Sequence, residues 1–130
     1  MGKRKEKNNI PIISFGKLNI IYNRYVRGND YWNVMSLLDH CESKGYPIFE
    51  IPIAGLSLSG LPWDIVNMDS FVYHMKRVQD TDLKHPIILD DLGQICDGNH
   101  RLAKALLKGE KTIKAIRILD MPEPDGHDEQ

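Results

Sequence analysis

No run of apolar residues in this 130-residue chain approaches the ~20 that a membrane-spanning helix needs. The basic start, Met1-Gly2-Lys3-Arg4-Lys5, is not followed by a hydrophobic segment of signal-peptide length. Gly2 also lacks the downstream Ser or Thr of a myristoylation signal. These absences predict a cytoplasmic protein with no membrane partner. An excess of one charge is missing too, since 17 Lys and Arg stand against 18 Asp and Glu for a net charge of -1. A protein that grips duplex DNA by bulk charge carries a clear basic excess, so that mode is excluded, whereas a local basic patch is not. Cysteine is scarce. Cys41 and Cys96 are the two present, with no Cys-x-x-Cys, which excludes a disulfide framework and a zinc signature. Both read as reduced, buried thiols.

Apolar residues make up 42% of the chain and charged residues 27%, a globular balance. The length suits one domain. Residues 1–9 read as a flexible basic arm and 10–119 as the domain. Residues 120–130, acidic and with two prolines, read as a disordered tail.

Within the domain, Ile10 to Phe15 and Leu18 to Tyr22 are short apolar runs that suit strands. A helix follows, capped by Asn29 or Asp30, with Tyr31, Val34, Met35, Leu38 and Cys41 on one stripe and Gly45 as its left-handed end. Trp32 and His40 fall beside that stripe, as packing and surface residues. Phe49 to Ile53 alternates like a strand, and Pro52 places it at a sheet edge. A Gly-rich loop from Ala54 to Pro62 leads through Trp63 to a helix capped by Asp69, with Phe71, Val72, Met75 and Val78 inward and His74 on the surface. Pro86 to Leu89 and Gln94 to Asp97 form a hairpin around Asp90-Asp91-Leu92-Gly93. A helix over 98–108 faces the core with Leu102, Ala105 and Leu106, and Thr112 to Leu119 is the last strand. This order predicts an α+β fold with a small mixed sheet and flanking helices.

The chemistry concentrates at Asp97-Gly98-Asn99-His100-Arg101, where a strand ends and a helix begins. The first turn of a helix holds unpaired N–H groups and partial positive charge, so phosphate is its natural guest. Gly98 would let the backbone approach closely, and Asn99 suits a cap. His100 and Arg101 would add donors, Arg101 to two phosphate oxygens at once. Asp97 could bind a metal ion or take a proton. Taken alone, the five residues favour a plain turn and cap; their setting changes this.

Their setting resembles a known family. The run Pro86-Ile-Ile-Leu-Asp-Asp-Leu-Gly-Gln-Ile-Cys-Asp-Gly-Asn-His-Arg-Leu-Ala-Lys-Ala-Leu-Leu-Lys-Gly109, followed by the strand from Thr112, is similar to the core of the ParB/sulfiredoxin superfamily, over roughly residues 48–119. Phe49-Glu-Ile-Pro-Ile53 resembles its first strand; residues 10–47 would be an added N-terminal, partly helical segment. Sulfiredoxin places its catalytic Cys where Asn99 stands, so sulfinic acid reduction is not expected. Partition proteins carry Arg at the position of His100 and add a helix-turn-helix and a dimerisation module, which the residues here do not hold. The resemblance is closest to small standalone ParB-like nuclease-type proteins and, in the Asp-Gly-x-His-Arg motif, to free-serine kinases. It implies a nucleotide, ATP or CTP with Mg2+, at Gly98, Asn99, His100 and Arg101, with Asp97, His100 and Glu50 catalytic and Asp97 on the metal. It also implies work near nucleic acid in a phage or other mobile-element setting. A small-molecule phosphotransferase and a non-enzymatic interaction module with a vestigial phosphate site stay open. A basic face beside the motif favours the first reading, Glu50 pointing into a closed pocket the second, and loss of the site's shape the third.

Overall fold

The computed structural model describes residues 10–11, 23–60 and 62–128. The basic arm and the strands expected over 10–15 and 18–22 fall outside these, save residues 10 and 11, which take no regular structure. The elements in order are β1 (Arg24–Arg27), β2 (Asp30–Asn33), α1 (Val34–Lys44), β3 (Phe49–Pro52), a 3-10 turn (Ile53–Gly55), α2 (Met68–Asp80), β4 (Ile87–Leu89), β5 (Ile95–Asp97), α3 (Asn99–Leu107), β6 (Thr112–Arg117) and β7 (Gly126–His127). This is α+β, as expected. No helix among the described residues is long and apolar enough to cross a membrane.

Two sheets organise the fold. The larger has the order β3-β6-β4-β5, with β4 parallel to β6 and antiparallel to β5. All of β4 is buried, which explains why Ile87-Ile88-Leu89 reads as a continuous apolar run instead of alternating. Ile87 and Leu89 pack with Leu102 and Ala105 of α3 on one side. Ile88 packs with Trp32, Leu37 and Cys41 on the other. Full burial of each such aliphatic side chain contributes about 1.5–3 kcal/mol. The edge position expected for the Pro52 strand is observed in β3.

Several local expectations are corrected. The first helix begins at Val34, not near Asn29 or Asp30, because Asp30–Asn33 is drawn into β2 by antiparallel pairing with β1. The later start turns the helix: Val34, Leu37 and Cys41 are buried, while Met35 and Leu38 are exposed. Trp32 is a core residue at 3% exposure. Gly45 does end the helix, at φ 67. The second helix is capped by Asn67, not Asp69. The Asn67 side chain accepts from the Ser70 N–H at 2.8 Å and the Ser70 hydroxyl accepts from the Asn67 N–H at 3.2 Å, a reciprocal capping box. Leu106, expected in the core, is 44% exposed.

The acidic tail is ordered through residue 128, contrary to expectation. β7 pairs with β2 to complete the second sheet, β1-β2-β7. The Trp32 indole N–H donates to the Pro122 carbonyl at 2.8 Å. Asp125 accepts from the Asn33 N–H at 2.8 Å and the Ser36 hydroxyl at 3.1 Å. It thereby serves the start of α1, where Asn33 makes no side-chain cap of its own.

Candidate functional site

The site grows from the end of β5. Asp97 closes the strand, Gly98 turns the chain at φ 107, and α3 begins at Asn99. The Leu102 N–H makes the first helical bond, to the Gly98 carbonyl at 2.9 Å. No side chain caps this helix, so helical geometry alone gives the N–H groups of Asn99, His100 and Arg101 no partner within it. Gly98, however, is not open to a ligand. It is buried, and a Cβ there would lie 2.6 Å from Ile87 Cγ2. Its lack of a side chain serves close packing against β4.

The motif residues diverge from this point. Asn99 lines a cleft of about 520 Å3, together with Arg24, Tyr25, Ser57, Gln94 and Cys96. Neither His100 nor Arg101 is among its walls. The Arg101 guanidinium donates to the Pro86 carbonyl at 3.0 Å and to Asp97 Oδ2 at 3.2 Å. Its Nε is buried without a hydrogen-bond partner among the described residues. One arm of the expected phosphate fork is thus engaged by the protein.

His100 turns toward α2. Its Nε2 lies 2.9 Å from Nδ1 of His74, and the Trp63 ring stacks on both imidazoles, at 4.4 Å from His100 and 4.8 Å from His74. Burial, with Arg77, His74 and Arg101 nearby, lowers the pKa of His100 to about 4. Burial and Arg77 lower that of His74 as well. Both rings are therefore neutral at pH 7, one donating and one accepting. His74 is a buried partner of the motif and not the surface residue expected.

This pair predicts a pH effect on stability. His100 titrates near 6.5 in the unfolded chain and about 4 in the fold, so between those values the unfolded chain holds the extra proton. Its contribution is complete above pH 6.5 and is lost as pH falls toward 4, up to roughly 3 kcal/mol. Thermal melts of wild type and His100→Gln from pH 7.5 to 4.5 check this. Wild type should lose stability more steeply, and parallel curves would refute it.

Glu50 is not brought to the motif. It lies on β3, across the sheet from Asp97 on β5, three strand spacings or about 14 Å away. There it accepts from the Thr112 hydroxyl at 2.7 Å. No three of His, Cys, Asp and Glu converge on a metal-sized site among the described residues. Asp97 stands as a single carboxylate, paired with Arg101 at 3.2 Å. Cys96 is buried, and burial followed by Asp90 pushes its thiol pKa up, the opposite of a reactive thiolate.

Arg24, Trp63 and His74 were missed by motif reading. Arg24 and Trp63 carry no local signal. His74 does, since it lies four residues before Val78 on the buried face of α2, whereas Phe71, expected inward, is 45% exposed. No family model, curated protein or solved structure matches the chain.

Proposed function

We propose that the chain is a phosphate- and nucleotide-binding domain of the ParB-like type. One observation carries this reading: the uncapped start of α3 reaches the 520 Å3 cleft through Asn99, with Arg24 on another wall. That volume is of nucleotide size, and a helix start that shares a cleft with an arginine is suited to phosphate. Magnesium would enter with the nucleotide; Asp97, the motif's one carboxylate, is paired with Arg101 and is not a wall of the cleft.

Action near nucleic acid, as a nuclease in a mobile-element setting, rests on the resemblance of the Asp97–Arg101 motif. The neighbouring cations do not add to it. Lys104 holds the Gln79 and Thr81 carbonyls at the end of α2, and Arg24 lies 3.7 Å from Asp128 and over the Tyr31 ring. A phosphotransferase of the free-serine-kinase type would need a carboxylate other than Glu50.

Thermal denaturation with pyrophosphate, ATP and CTP, with and without magnesium, tests the reading. Ligand at 100 times its dissociation constant should add about 2.7 kcal/mol. Arg24→Ala should weaken binding by about 1.5–3 kcal/mol, the usual worth of a hydrogen bond to a charged group. If no probe shifts the transition at millimolar concentration, the motif is structural and the interaction-module reading takes its place.

A further inference from the structure

We infer that the small pocket beside Trp63 receives the nucleobase of the bound ligand, an inference that rests on the phosphate reading above. The pocket, about 150 Å3, is walled by Leu58, Trp63, Leu102, Ala103 and Leu106. It adjoins the larger cleft, because Ser57, Gly60, Pro62 and Asn99 line both. A single ligand can place its polar part in the cleft and a flat apolar part in the pocket, with Asn99 at the junction.

The walls select the chemical class. Aliphatic and aromatic surface disfavours a sugar or free phosphate, whose polar groups would lose water without replacement. It suits the π-face of a base, which stacks on aromatic rings and packs on aliphatic ones. Ser57 and Asn99 offer hydrogen bonds to ring nitrogens and exocyclic groups.

Trp63 is also set in advance. The two imidazoles hold its ring from one side, so less side-chain freedom is lost when a ligand arrives. Leu58 and Leu106, 51% and 44% exposed, are apolar surface that a seated base would cover.

The test is isothermal titration of the full chain with pyrophosphate, adenosine, cytidine, ATP and CTP. Ala103→Phe, which fills the pocket, is compared with wild type; Trp63→Leu stands in if that variant fails to fold. In wild type at least one of the two nucleotides should bind roughly tenfold tighter than pyrophosphate, the scale of one base–aromatic stack. Its nucleoside should bind measurably and quench tryptophan fluorescence. In the variant the ratio of nucleotide to pyrophosphate affinity should fall to about one.

Equal affinities in wild type, or a ratio that survives in the variant, overturn the inference while leaving the phosphate reading intact. A nucleoside that binds where pyrophosphate does not would sink the phosphate reading and keep the base pocket. If nothing binds at millimolar concentration, both fall.

Discussion

Replacing Gly98 with alanine should cost the protein about 3–5 kcal/mol, enough to unfold a domain of marginal stability. Two effects add. At φ 107 an L-residue is held in a strained backbone conformation, worth about 1–3 kcal/mol. The new methyl would also lie 2.6 Å from Ile87 Cγ2 and 2.9 Å from its Cβ. Ile87 is wholly buried at the centre of the sheet and has nowhere to retreat, so overpacking adds about 1–3 kcal/mol. Gly93 provides the control. Its φ is 86, but nothing lies within 4 Å of an added Cβ, so Gly93→Ala should show the backbone effect alone. Urea denaturation of the two variants measures the difference. Equal losses would show that contact with Ile87 is not what selects glycine at position 98.

Asp90→Ala should be comparably damaging, at about 3–5 kcal/mol, because it removes a fully buried carboxylate that accepts from four part-buried donors at once. Asp90 is 0% exposed. Its Oδ1 accepts from the Leu92 and Gln94 N–H groups at 2.9 and 2.8 Å. Its Oδ2 accepts from the Tyr25 hydroxyl at 2.6 Å and from Arg27 at 3.3 Å. One carboxylate thus shapes the β4–β5 turn and ties it to β1. Burial by itself would raise its pKa, but Tyr25, the two backbone donors and Arg27 outweigh burial, and the net direction is down. Its stabilising contribution is therefore present above the ordinary carboxylate range and lost in acid. Asp90→Asn should fall between wild type and Asp90→Ala, since it keeps the shape and Arg27 retains Asp91 at 2.6 Å. A loss below about 1 kcal/mol for Asp90→Ala would be typical of a surface turn residue and would contradict this account.

The parts legible in the sequence are those whose determinants are local. The apolar run before Asp90, the turn ending at Gly93, the helix after Gly98 and the edge strand at Pro52 each follow from a few adjacent residues, and each is present. What escaped was set by residues far along the chain. Asp30–Asn33 has helix-start chemistry, yet pairing with β1 and β7 makes it a strand. The tail has the composition of disorder, yet Asp125 is held at the start of α1. Within the motif, local chemistry pointed to the residues but not to their partners. Arg101 turns to Asp97 and Pro86, and His100 to His74 and Trp63, contacts that only the packing of α3 on β4 and α2 creates.

The anchoring of the tail has a bearing on how the chain reaches this state. His127 is paired with Asp30, 97 positions earlier, and the Trp32 indole finds its acceptor only at Pro122. Contacts of such separation close the largest loops in the molecule and are slow to form. During synthesis the β3–β6 unit and its helices can be assembled while Trp32 still lacks its acceptor and β2 still has an open edge. The second sheet is therefore finished after the first, and until residues 126 and 127 have emerged the nascent protein offers an unpaired strand to any neighbouring chain.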